Sequence, residues 1–196
     1  ILNVVSVLTE QQNWGLAFID AEGAWKHTRG ENTKVAVIDT GWFPHKDLQI
    51  NFFEGHDATG NNDFMDHGNG HGTDAAGIKG VVPNAKLIPI KALDDDGTGS
   101  YDFIANALKI AHDIDVDVIN MSLGSSEDPG NDTIHSLIKD ITSQGKIVIC
   151  ASGNDGAAVN YPAKYDEAIA VAAVQSDGTL AKFSSRGSEL DTAAPG

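Results

Sequence analysis

Four polar clusters in this chain carry side chains able to move protons or stabilise charge. They are Asp39-Thr40-Gly41, His71 at the head of His-Gly-Thr-Asp-Ala-Ala-Gly, Asn120–Ser125 (NMSLGS) and Ala151–Asn154 (ASGN). Histidine exchanges protons near neutral pH, which suits His71 to work as a general base. A buried carboxylate such as Asp39 can hold an imidazole in one tautomer and stabilise its protonated form. A carboxamide such as Asn154 can donate to a developing oxyanion. Each also has an ordinary reading, since Asp and Asn are common turn residues. The chemistry requires that the fold bring them together.

The elements around them favour that. Residues 34–39 (KVAVID) form a short, β-branched apolar run that reads as a buried parallel strand. Residues 85–92, 116–121, 145–151 and 168–174 repeat the pattern. Between them, residues 101–113 place Phe103, Ile104, Ala107, Leu108 and Ala111 on one helical face. Residues 131–144 do the same with Ile134, Leu137, Ile138 and Ile141, and Gly145 is a natural stop. Strands alternating with helices predict an α/β fold: three layers, a mainly parallel sheet with helices on both faces. In such sheets active sites gather at the carboxyl ends of the strands. Asp39, Asn120–Ser125 and Ala151–Asn154 fall at three such ends, and His71 opens a helix after the polar loop 54–72. No linker or internal repeat interrupts the chain, so residues 1–196 read as a single domain.

Composition narrows the partners. The 196 residues carry 28 Asp and Glu against 13 Lys and Arg, a formal net charge of −15. Such a surface repels phosphate backbones, so nucleic acid and anionic membrane are poor partners. Cys150 is the one cysteine, so no internal disulfide forms; it sits in an apolar run and reads as a small core residue. No apolar run approaches the roughly 20 residues of a membrane helix. Ile1–Glu10 lacks the basic flank and small-residue cleavage pattern of a signal peptide. Cytoplasmic and secreted settings both fit.

VIDTG, GHGTDAAG, NMSLGS, ASGND, YPAKY and FSSRGSELDTAAPG occur here in the order found in subtilisin-like serine proteases. From about Gly15 to Gly196 the chain resembles that family. The resemblance implies a serine endopeptidase in which Asp39 and His71 are triad members and Asn154 is the oxyanion donor. It implies a polypeptide substrate extended along Ser122, Leu123, Gly124 and Ser125 as an added strand, with Ala151, Ser152 and Gly153 facing it. Glycines at 124 and 153 let the peptide approach closely. Leu93, Tyr101, Ile104 and Leu123 match positions lining apolar side-chain pockets.

Three departures accompany the resemblance. The family's Gly-Thr-Ser-Met-Ala nucleophile segment is expected after Ala-Pro-Gly at 194–196, where this sequence stops. The C-terminal portion of the domain, nucleophile included, is therefore expected to be missing, and the chain alone to be inactive. Ser184 and Ser185 match a surface segment and are no substitute. Asp74 stands where the family has a second histidine. The calcium-binding loop of many relatives has no counterpart after Ile78, and Asp47 alone matches a ligand position. No cofactor or metal is therefore expected, beyond a weak cation site at the carbonyls of Ala163, Tyr165 and Ala168. The partner is either the missing segment as a second polypeptide or another copy of the chain.

Other readings compete. A non-catalytic subtilisin-like module that binds peptides is the rival in another class. Asp-Thr-Gly also marks aspartic proteases, but those need two copies on a largely β fold. His56, Asp57, Asp63, Asp66, His67 and His71 could form a metal cluster, against a solvated acidic loop. Asp94–Asp96 read as a solvated charge run.

Overall fold

The computed structural model describes residues 10–45, 48, 51–130 and 132–196, with side chains described from Trp14 onward except at 78 and 79. Short apolar runs with β-branched residues become strands: β1 (Lys34–Asp39), β3 (Lys86–Lys91), β4 (Val118–Met121), β5 (Ile147–Ala151) and β6 (Ile169–Val174). β2 (His56–Asp57) and β7 (Thr192–Pro195) add the two edges. All pairs are parallel, in the order β2-β3-β1-β4-β5-β6-β7. The helices are α1 (Glu10–Phe18), α2 (Ala21–Ala24), α3 (His71–Ala75, continued as a 3-10 turn to Gly80), α4 (Tyr101–Asp113) and α5 (Thr133–Ser143).

Local chemistry sets the helix ends. The Ser100 side chain accepts the Phe103 N–H at 3.2 Å and caps α4. Gly145, at φ 82, follows α5, and its N–H closes on Thr142 O at 2.9 Å. Asn131, where the second helix was expected to begin, lies outside the described residues, as does Asp47.

Strand alternation divides the core. Ala36, Ile38, Ile88, Ile90, Ile119, Met121, Val148 and Cys150 face one side and are fully buried with Ile104, Leu108, Ile134 and Ile138 of α4 and α5. Cys150 is thus a core residue, and burial pushes its thiol far above the ordinary range. On the other side Val35 and Leu87 pack with Trp42, Leu48 and Ala76. Helical turns therefore cover both faces at β1 and β3, giving the expected three-layer α/β architecture. The strand order reverses between β1 and β4: β2 and β3 lie to one side, β4 to β7 to the other. Ligand crevices form at the carboxyl ends of strands at such a switch point.

Candidate active site

Asp39 is the last residue of β1, and His71 is the first residue of α3. The fold puts His71 Nδ1 2.7 Å from Asp39 Oδ1. The carboxylate is 1% exposed while the imidazole side chain is 52% exposed, so the pair runs from the interior to solvent. With a carboxylate as acceptor, the ring donates through Nδ1, leaving Nε2 to face outward chemistry. The hydrogen bond with Asp39 raises the His71 pKa above the ordinary imidazole value. Burial opposes that rise, and the charges of Asp39, Asp74 and Asp66 add to it. Asp39 Oδ2 is buried with no hydrogen-bond donor among the described residues.

α3 comes this close to β1 because residue 72 is glycine. A Cβ there would lie 2.5 Å from Gly41 O and 3.1 Å from Thr40 Oγ1. Beside the pair opens a cleft of about 750 Å³. His71 and Thr40 meet Leu93, Tyr101, Ile104 and the Ser122–Ser125 segment along its walls. The Tyr101 hydroxyl donates to Glu127 O at 2.7 Å, tying the start of α4 to the loop after β4. Ser125 and Tyr161, which both line the cleft, exchange two backbone hydrogen bonds of 2.9 Å as an antiparallel bridge. Gly124 has its own reason to be small, since a Cβ would meet Tyr161 O at 3.0 Å.

Ala151, Ser152 and Gly153 lie at the end of β5, apart from those walls. Ser152 is 2% exposed, and its hydroxyl points at Ser184 Oγ and Ser185 O, both at 3.4 Å. Asn154 is exposed in the loop beyond. Ser184 and Ser185 are wholly buried, and Ser184 Oγ accepts the Ala173 N–H at 3.0 Å, so neither presents a hydroxyl to solvent.

The polar loop binds partly to itself and partly to neighbouring segments. Asp57 accepts from Thr59 and Asn62, and Asp63 pairs with His67 at 2.7 Å. No group of three His, Cys, Asp or Glu is arranged to hold a metal ion among the described residues. Of the carbonyls considered for a cation, Tyr165 O accepts the Ala168 N–H at 3.0 Å. The Asp94–Asp96 run is exposed, as expected. Asp95 pairs with Lys91 at 2.8 Å, and the Lys91 side chain is only 6% exposed. Sequence reasoning gave Thr40 no separate role and weighed Asp66 only as a metal ligand, yet both are buried beside the pair. The available signal was an aspartate ahead of Gly-Asn-Gly, a pattern that closes a tight turn.

Comparisons with known proteins identify the family. The model of the subtilase family matches residues 30–196. The chain is 40% identical over 183 residues to subtilisin E of Bacillus subtilis (strain 168), an alignment covering 85% of this chain and 47% of that protein. It is 36% identical over 204 residues to an intracellular serine protease of Paenibacillus polymyxa, covering 93% and 62%. It is also 36% identical over 198 residues to the minor extracellular protease Epr of Bacillus subtilis (strain 168), covering 94% and 30%. The chain belongs to the subtilase family. It spans between about a third and two thirds of the length of these relatives. Their names include an intracellular and an extracellular protease. No helix among the described residues is long and apolar enough to cross a membrane.

Proposed function

We propose that the protein is a serine endopeptidase, with Asp39 and His71 as two members of its triad and a serine outside these 196 residues as the third. The observation that carries this reading is the 2.7 Å contact between a buried Asp39 and a half-exposed His71 at the mouth of a strand-end cleft. In the reaction His71 Nε2 accepts the serine proton as the hydroxyl attacks the peptide carbonyl, then returns it to the leaving amine. Asp39 holds the tautomer and stabilises the imidazolium. Asn154 donates to the oxyanion; in subtilisin, the reference case for this effect, losing such a donor costs about 2.7–4 kcal/mol. A polypeptide pairs with Ser122–Ser125 as an added strand. Leu93, Tyr101, Ile104 and Leu123 favour apolar side chains near the scissile bond. Residues 1–196 act as one domain in this reading.

A fluorophosphonate probe and a fluorogenic peptide with an apolar residue before the scissile bond test it. Residues 1–196 alone are expected to show neither labelling nor hydrolysis, for want of a nucleophile. The same residues joined to a Gly-Thr-Ser-Met-Ala segment are expected to show both. Stoichiometric labelling of Ser184 or Ser185 would contradict the reading. Continued inactivity after the segment is joined would favour a peptide-binding module.

No metal is assigned a role in this chemistry, and a cation at the Ala163, Tyr165 and Ala168 carbonyls contributes little. The melting temperature is therefore expected to be the same in calcium and in excess EDTA. A rise of several degrees with calcium would identify a stabilising site.

A further inference from the structure

We propose that Thr40 and Asp66 are positioning residues that hold His71 in register with Asp39. This rests on the reading of Asp39 and His71 as a catalytic pair and concerns what keeps that pair aligned. Asp66 is 2% exposed, yet its carboxylate collects four donors. Oδ1 accepts the N–H groups of Gly68 at 3.0 Å and Asn69 at 2.8 Å. Oδ2 accepts the Gly70 N–H at 2.8 Å and the Thr40 hydroxyl at 2.7 Å. Thr40 Oγ1 in turn accepts the Gly72 N–H at 2.9 Å. The backbone of Gly68, Asn69 and Gly70 is thus bound directly to one buried charge and Gly72 is bound to it through Thr40, so the chain is held on both sides of His71. Asp66 is itself anchored, its N–H donating to Trp42 O at 2.8 Å.

α3 needs such an anchor. It has five residues, and Gly70 before it supplies no side-chain cap. A single short turn does not hold itself in water. Thr40 acts on both partners at once. Its N–H donates to Asp39 Oδ1 at 2.7 Å, the oxygen that also meets His71. Its side chain holds the start of the helix that bears the imidazole. The buried Lys91 ammonium adds a third tether, donating to Thr40 O at 2.7 Å and to Asp95 at 2.8 Å. Burial by itself would raise the Asp66 carboxyl, but the Thr40 hydroxyl and the amides of Gly68, Gly70 and Asn69 outweigh it and hold it below the ordinary range. Charge-assisted bonds of this kind are stronger than neutral ones, so the anchor is stiff at neutral pH.

The test is NMR of the His71 ring in the full chain, reading its pKa and the downfield Nδ1–H resonance, with no need for catalysis. Asp39, Asp74 and Asp66 are the charges acting on that ring. Thr40→Val keeps the shape and all three charges while removing the hydroxyl. It is expected to lose the resonance and to bring the pKa down toward about 6.5. Thr40→Ser restores the hydroxyl and is expected to restore both. Asp66→Asn is expected to lose the resonance too; its pKa is not decisive, because the charge itself is removed. In protein supplied with the nucleophile segment, Thr40→Val is expected to lower kcat about 10²-fold with little change in KM, as for a misplacement of about 1 Å. A folded Thr40→Val with His71 as in the parent overturns the proposal. So does Thr40→Ser behaving like Thr40→Val. If Thr40→Val does not fold, an unchanged resonance in Asp66→Asn overturns the proposal and its loss upholds it. If neither folds, the two residues are merely structural and the proposal falls. Failure of the protease reading would appear separately, as parent protein joined to the nucleophile segment that does not hydrolyse peptide although its His71 responds as described.

Discussion

Replacing Asp39 by asparagine in protein supplied with the nucleophile segment is expected to lower kcat about 10⁴-fold with KM nearly unchanged, about 5.4 kcal/mol of barrier. The size of the loss follows from what the carboxylate does. Asp39 accepts from His71 Nδ1 at 2.7 Å, so Nε2 is free to take a proton. An asparagine of the same shape can turn its amide N–H toward Nδ1, stabilising the tautomer whose Nε2 already carries hydrogen. Geometry survives and the base is lost. The pH profile gives a second reading of the same contact. A base must be neutral to act, so activity climbs as pH rises through the His71 pKa. Asp39 raises that pKa, first through the hydrogen bond and further through its charge. The parent's acid limb is therefore expected above about 6.5, and the variant's lower, toward that value. A His71→Ala, Asp39→Asn double variant is expected to lose little beyond His71→Ala alone, because the two residues act as a unit. Stopped assays with unchanged melting curves check all three. An Asp39→Asn variant within tenfold of the parent would remove Asp39 from the mechanism.

Much of this site was legible because buried parallel strands are written in β-branched apolar residues. KVAVID became β1 over the residues expected, and its final aspartate stands at the strand end. The α4 helix likewise runs from Tyr101 to Asp113, because one face is continuously apolar and Ser100 caps it. Less legible were the elements made by pairing alone. β2 has two residues, His56 and Asp57, inside a polar loop, and exists because Ile90 and Lys91 lie alongside. β7 is Thr-Ala-Ala-Pro, poor in β-formers, and takes its shape from β6 as an edge strand. Hydrogen-bonded hubs were the least legible. The Gly-Asn-Gly after it marks Asp66 as a turn former, but nothing local tells that it is buried with three loop amides while Asp63 pairs with His67 on the surface. That difference arises only when Thr40 arrives from another part of the chain. Lys91 is the same case in reverse: a charge at a buried strand position, satisfied by Thr40 O and Asp95.

The polypeptide of residues 1–196 by itself is expected to associate in solution rather than run as a monomer of 20.6 kDa. The reason lies in the unequal faces of the sheet. Parallel strands are usually covered on both sides. Over β1 and β3 both sides are closed, and Val37 is 2% exposed. Over β4, β5 and β6 only the side beneath α4 and α5 is closed. On the other side Val118, Ile149, Val171 and Ala173 stay half-buried, while Ile147 is 44% and Ile169 37% exposed. These side chains are neighbours across the register, Val118 beside Ile147 and Ile149 beside Ile169. They make a continuous apolar strip, and covering apolar surface yields roughly 25 cal/mol per Å². A strip of this kind favours association through that face, with a second copy or with a polypeptide carrying the nucleophile segment. Sedimentation velocity across a concentration series is expected to show species above the monomer mass. Adding that polypeptide is expected to compete with self-association and, if the protease reading is right, to bring hydrolysis that needs both Asp39 and His71. A compact monomer that melts cooperatively by itself would mean the strip is tolerated in water, and a peptide-binding module would then account for the chain better than a protease would.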